Sequence, residues 1–284
     1  MAQSIKHIKN RIRGVESTKK VTNAMQMISV VKLRRIEDKL LILRPYALKL
    51  ENMMHNLAGR SQELLPQYFK PRSLTKEVIL CLVTSDSGLC GVYNHGIIRA
   101  AEDFIKSNSE KKVKLILVGQ KGVNYFRNKN IPIINSYVGL NGKFSQNFCD
   151  KISLELKQLF LDGKADAIYL AYAYFENSIV QRPLIQRLLN IESRGANCVE
   201  YIAEPDLESI LVDLVPKYLL IKMRLVFLEA FTSEHAARTV SMKTATDNAK
   251  ELLEGLVLLR NKVRQAGITQ DILEISSSVE ALRG

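Results

Sequence analysis

The residues best placed for chemistry lie in the segment Thr84-Ser-Asp-Ser-Gly-Leu-Cys-Gly91. It follows an apolar run of strand length and precedes a helix-like stretch, the position where α/β folds bind ligands. Cys90 is a candidate nucleophile there, with His95 five residues on. Nothing nearby supplies the third, orienting group that an activated thiol needs, and the glycines are explained by the backbone of a strand-to-helix turn. No G-x-x-x-x-G-K-[ST] occurs, since Gly142-Lys143 and Gly163-Lys164 lack the preceding glycine and the following hydroxyl. No G-x-G-x-x-G follows a candidate strand. The histidines His7, His55, His95 and His235 stand apart, none at metal-ligand spacing from another ligand of the right type. The cysteines Cys81, Cys90, Cys149 and Cys198 form no C-x-x-C pair and read as reduced, buried small hydrophobes. His235 beside Glu234 reads as a packed or exposed polar residue on a helix. Neither a cofactor nor a metal is expected.

The charge is informative by its placement. The 284 residues carry a net charge of +12. Residues 1–60 hold 13 Lys/Arg against 4 Asp/Glu, whereas residues 208–284 hold 10 of each. A basic stripe of this kind can face nucleic acid, anionic lipid or an acidic protein partner. Tyr46 is its only aromatic residue, so stacking on single-stranded bases has little support. The longest uncharged apolar stretch, Ala167 to Phe175, is about half of the ~20 residues that a membrane-spanning helix needs. The apolar segment from Ile210 to Phe231 carries Asp213, Lys217, Lys222 and Arg224, which a bilayer core excludes. No signal-peptide core follows Met1, so secretion is not expected.

Two long helices must frame whatever the turn does. From Gln3 to about Ala58, apolar residues recur three and four apart: Ile5, Ile8, Ile12 and Val15, then Val21, Met25 and Ile28, then Ile36, Leu40, Leu43, Ala47, Leu50, Met54 and Leu57. Such a helix would be about 80 Å long at ~1.5 Å per residue. Pro45 falls inside it. A second seam starts near Asp206 or Leu207 and runs from Leu214 through Tyr218, Leu225, Leu228, Thr232, His235, Met242 and Ala249 to Leu256. Pro216 falls early in it, where the first turns tolerate proline. Between Thr232 and Ala249 the seam turns small, so something outside the helix pair should stabilise it.

The middle alternates strands and helices. Val78 to Val83 and Val113 to Val118 read as strands, followed by helices over Tyr93 to Ser107 and Gln120 to Asn128. Phe144 to Leu161 reads as a third helix. Ala167 to Phe175 and Ile179 to Ile191 read as a pair joined by a turn at Glu176-Asn177-Ser178. The expected fold is α/β: a long antiparallel coiled coil of N- and C-terminal helices with an inserted, Rossmann-like globule and a mainly parallel sheet. The expected divisions are a helix over 1–65, the globule over 66–205 and a helix over 206–284. Two further readings are a DNA-associated coiled-coil protein and a small α/β enzyme that uses Cys90.

Three motifs carry a family resemblance. Arg11-Ile-Arg-Gly-Val-Glu-Ser-Thr-Lys-Lys-Val-Thr-Asn-Ala-Met-Gln-Met27, followed by Lys32-Leu-Arg-Arg35, resembles the opening helix of the γ subunit of F-type ATP synthase. Ser85-Asp-Ser-Gly-Leu-Cys-Gly-Val-Tyr-Asn94 resembles that family's S-D-R-G-L-C-G-x-x-N turn. Ser233-Glu-His-Ala-Ala-Arg238, Ala245-Thr-Asp-Asn-Ala249, Asn261-Lys-Val-Arg-Gln-Ala266 and Ile268-Thr-Gln-Asp-Ile-Leu-Glu274 resemble its C-terminal signature. The match runs end to end and in order.

The resemblance implies a central-stalk rotor without catalysis of its own. Its coiled coil would enter the ring of three α and three β subunits, with the globule touching the ε subunit and the c-ring. Rotation would couple ion flow to ATP synthesis and regulate ATPase activity and ion flow. The chain would be peripheral to the cytoplasmic face of a bacterial plasma membrane, with neither a membrane span nor a nucleic-acid partner. By the same match, Met25 falls at a β-subunit contact, and Arg264, Gln265, Thr269 and Asp271 latch onto β-subunit loops. Ser87 stands where the family usually has arginine, Asp271 replaces glutamate, and Ser277-Ser278-Val279 replaces a Gly/Ala-rich sequence. The redox-regulated insertion of chloroplast relatives is missing, so thiol control is not expected.

Overall fold

The structure, a computed structural model, describes residues 2–61, 63–70, 75–192, 204 and 206–283. Cys198 and the segment boundaries marked by Pro71, Gly195 and Pro205 lie outside these residues. In chain order the elements are α1 (Ala2–Ser61), α2 (Pro66–Phe69), β1 (Glu77–Val83), α3 (Tyr93–Ser107), β2 (Lys112–Val118), α4 (Gln120–Phe126), β3 (Ile133–Tyr137), α5 (Gln146–Leu161), β4 (Ala167–Phe175), β5 (Gln181–Leu189) and α6 (Leu207–Arg283). The chain falls into two compact units, Ser29–Arg238 and Met1–Ile28 with Thr239–Gly284.

The larger unit is built on a five-stranded sheet ordered β3-β2-β1-β4-β5. β1, β2, β3 and β4 pair parallel, while β5 returns antiparallel to β4. Period-two alternation sends side chains to two covered faces, which explains why the central strands are apolar throughout. Leu80, Leu82, Leu115 and Leu117 pack with Ile97, Ile98 and Ala101 of α3 and Phe126 of α4. Ile79, Cys81, Val83, Ile116 and Val118 face the other way, toward Ile152, Leu156 and Phe160 of α5 and the apolar sides of α1 and α6. Ser145 caps α5 by accepting the amide of Phe148 at 3.4 Å. Asp206 starts α6 by accepting the amide of Ser209 at 2.8 Å.

β3 was not foreseen. Its run Ile133–Tyr137 contains Asn135 and Ser136, and it is an edge strand exposed along much of its length, so it needs no continuous apolar signal. Pro216 sits inside α6, about two and a half turns from its start.

In the smaller unit, α1 and α6 run antiparallel: Ile8 and Ile12 pack with Leu256, and Thr246 Oγ1 donates to Thr22 Oγ1 at 2.8 Å. The buried position there is Thr22 rather than Val21, which is 56% exposed, and Ile28 is 57% exposed. The expected seam over Val21 and Ile28 is therefore corrected. A small hydroxyl residue occupies the contact, and the larger apolar residues point outward.

Candidate functional site

The turn after β1 is a structural joint. Thr84 Oγ1 donates to Val118 O at 3.0 Å and accepts the amide of Gly122 at 2.9 Å. The Asp86 carboxylate accepts three backbone amides, from Gln120 at 3.0 Å, Gly139 at 3.1 Å and Asn141 at 2.6 Å. Gly119 has φ 96°, and a Cβ there would lie 2.2 Å from Thr84 O, so only glycine permits this approach. Cys90 is buried, and burial raises its pKa. Its sulfur accepts from Asn94 Nδ2 at 3.1 Å and lies near Ser85 Oγ and Ser87 O, while His95 is exposed and is not among its partners. Burial thus favours the neutral thiol, which is a weaker nucleophile than a thiolate.

Arg238 fastens this turn to α6. Its Nη2 donates to Ser87 O at 3.2 Å and to Glu234 Oε1 at 2.8 Å, and its Nε donates to Gly88 O at 3.3 Å. His235 Nε2 lies 3.1 Å from Gly142 O, and its Nδ1 lies 3.3 Å from Arg238 Nη1. A neutral ring protonated on Nε2 satisfies both, since a carbonyl only accepts and a guanidinium only donates. Burial drives the His235 pKa down to about 4, with the Arg238 cation acting in the same direction and the Gly142 carbonyl opposing both. Gly142 is required here as well, because a Cβ would meet His235 Nε2 at 2.5 Å.

Two ion pairs, each with a buried carboxylate, join α1 to α6 within the same unit. Arg44 Nε and Nη2 bond the two oxygens of Glu229 at 3.0 and 2.9 Å, and Arg44 Nη2 also donates to Phe175 O at 2.7 Å. Lys222 Nζ donates to Glu51 Oε2 at 2.8 Å. Burial alone would raise the pKa of Glu51, but hydrogen bonding from His55 and the charge of Lys222 overcome it and hold the group at about 2. Tyr93 Oη and Ser233 Oγ add bonds to Ala230 O at 2.9 Å and Ala173 O at 3.0 Å. Over Thr232 to Ala236 the small residues are buried by the chain's own sheet and loops, whereas Thr239 to Asn248, apart from the buried Met242, are half-buried or exposed. The turn residues from Ser85 to Asn94 and the α6 residues from Ser233 to Arg238 fell within motifs noticed in the sequence. The charged residues at 44, 51, 222 and 229, set among apolar ones, were the signal for the rest.

The five residues singled out as partner contacts all lie in the smaller unit. Met25 is half-buried on α1, in line with the exposed Val21 and Ile28. Arg264, Gln265, Thr269 and Asp271 are exposed on α6, and Thr269 Oγ1 donates to Gln265 O at 3.0 Å. The same helix carries Ile268, Ile272, Ile275 and Val279, exposed by 52%, 60%, 65% and 45%. At ~100° per residue these four fall within an arc of about 60°. Arg264 and Asp271 border it on one side, and Gln265 and Thr269 on the other. An apolar stripe with polar flanks has the make-up of a protein interface. Among the described residues, no group of His, Cys, Asp and Glu could hold a metal ion, and no helix is long and apolar enough to cross a membrane.

Comparison with known proteins follows the whole length. A family model described as ATP synthase matches residues 4–282. The chain is 36% identical over 289 residues to the ATP synthase gamma chain of Anaeromyxobacter dehalogenans (strain 2CP-C), covering 98% of this chain and 99% of that one. It is 35% identical over 298 residues to the ATP synthase gamma chain of Chloroherpeton thalassium, covering 98% of each. Among solved structures, a chain of the rotor of Euglena gracilis mitochondrial ATP synthase superposes with a TM-score of 0.67 at 16% identity, over 94% of this chain and all of that one. A chain of the central stalk and c-ring of the Tetrahymena thermophila enzyme gives 0.59 at 23%, over 79% and 99%. At such identities the structures speak for the fold.

Proposed function

Because this chain belongs to the ATP synthase gamma chain family, we propose that it is a non-catalytic central-stalk rotor that couples ion flow to ATP synthesis by turning inside a ring of three α and three β subunits. The observation that carries the proposal is the exposed apolar stripe Ile268–Ile272–Ile275–Val279 with its polar flanks. Such a surface suits a helix sheathed by other subunits, and the ion pairs suit an element that must transmit force without slipping. In this reading Met25, Arg264, Gln265, Thr269 and Asp271 contact β-subunit loops. Asp271, one methylene shorter than the family's glutamate, reaches less far. The globule contacts the ε subunit and the c-ring, so the chain is held peripherally on the cytoplasmic face of a bacterial plasma membrane through its complex. Through these contacts it also regulates ATPase activity and ion flow.

The test is ATP-driven ion pumping by membranes whose synthase carries Arg264→Ala together with Gln265→Ala. Pumping per ATP hydrolysed should fall, or the complex should fail to assemble, while the larger unit stays folded. Normal pumping would remove the latch assignment.

A further inference from the structure

We propose that a basic pocket in the larger unit, between α1 and the loop before α5, binds a phosphate group. The pocket has a volume of about 250 Å³ and is lined by Lys32, Arg35, Ile36, Lys39, Gly142, Lys143 and Phe144. The four α1 residues fall within about 100° of helix surface, whereas Glu37 and Asp38 project more than ~100° from the centre of that arc. No carboxylate lines the pocket. Among the described residues, the heads of Lys32, Arg35, Lys39 and Lys143 make no ion pair, in contrast to Lys114 and Lys222, each of which is paired. Four cations around one concavity repel one another unless an anion joins them.

The size and shape favour a small anion. A water occupies about 30 Å³ of liquid, so the pocket has room for a phosphate or diphosphate with a few waters. Lys39 Nζ sits 5.6 Å from the centroid of the Phe144 ring, which takes up the one aromatic surface on the wall. Recognition therefore rests on charge and hydrogen bonding, the mode suited to phosphate oxygens. The buried Glu234 carboxylate feels the charge of Lys32 and offsets part of it, so Arg35, Lys39 and Lys143 carry most of the uncompensated charge.

The test uses the full chain, titrated with inorganic phosphate, pyrophosphate, ADP and a polyglutamate peptide at constant ionic strength, with binding read by 31P line width and by the rise in melting temperature. Phosphate and pyrophosphate should saturate. The variant Lys32→Gln/Arg35→Gln should remain folded and bind roughly ten-fold more weakly, and Lys217→Gln should bind normally. ADP binding ten-fold tighter than pyrophosphate would assign the site to a nucleoside phosphate, and equal binding to free phosphate groups. A melting shift of the same size in Lys32→Gln/Arg35→Gln would be general salt stabilisation. That result, the absence of saturation, or binding of polyglutamate alone would overturn the proposal.

Discussion

Arg44 on α1 grips Glu229 on α6 through both carboxylate oxygens, with Nε to Oε1 at 3.0 Å and Nη2 to Oε2 at 2.9 Å. The same carboxylate accepts the amide of Phe175 at 2.8 Å, while Arg44 Nη2 donates to the carbonyl of that residue. Two helices and the end of β4 are therefore closed into one ring of charge-assisted bonds, a joint that resists sliding as well as separation.

Arg44→Ala would strand Glu229 as an unpaired buried charge and should cost roughly 3–5 kcal/mol. Replacing both partners, as Arg44→Met with Glu229→Leu, should recover most of that loss. Chemical denaturation of the three chains checks this. Equal stability of Arg44→Ala and the parent would mean that Glu229 is not buried as described.

Acid should weaken the larger unit in two stages. The folded-state pKa of His235 is depressed to about 4 from its ordinary 6.5, so the neutral ring stabilises the fold fully above 6.5. That contribution, about 3 kcal/mol, is lost as the pH falls from 6.5 toward 4. Glu51, held at about 2 against an ordinary 4.5, contributes above 4.5 and loses its contribution between 4.5 and 2. Urea midpoints measured across pH should show His235→Gln flattening the upper stage and Glu51→Gln the lower. Unchanged profiles would refute the assignments.

Arg238→Lys keeps the charge but cannot reach Ser87 O, Gly88 O and Glu234 together, because an ammonium lacks the guanidinium fork. It should cost about 2 kcal/mol and speed amide exchange over residues 87–91 more than over β1. Uniform exchange across both segments would show that the clamp does not hold the turn.

Ile272→Asp changes a residue that is 60% exposed, so the isolated chain should keep its stability to within about 0.5 kcal/mol. Assembly with α and β subunits, followed by co-purification, should fail. Intact assembly would remove the stripe as an interface.

The two long helices and the central strands were legible because burial on one stripe, or on both sheet faces, leaves a periodic apolar record. Ala167–Phe175 and Tyr93–Ser107 coincide with β4 and α3 for that reason. β3 was hidden because an edge strand needs little apolar pattern, and the seam failed at Val21 and Ile28, where apolar residues face outward. The C-terminal residues proposed as partner contacts rest on motif alone. Charges at 44 and 229 within apolar runs marked those residues, but their pairing with each other and with Phe175 could not be read, because the partners lie 131 and 185 positions apart, a distance that no local pattern spans.

Rotation is the central claim, and it can be watched directly. The α and β subunits of the same complex, fixed to a surface and assembled with this chain bearing a bead on its larger unit, should turn the bead continuously in one direction when ATP is supplied. ATP hydrolysis by a fully assembled complex whose bead does not rotate would contradict it.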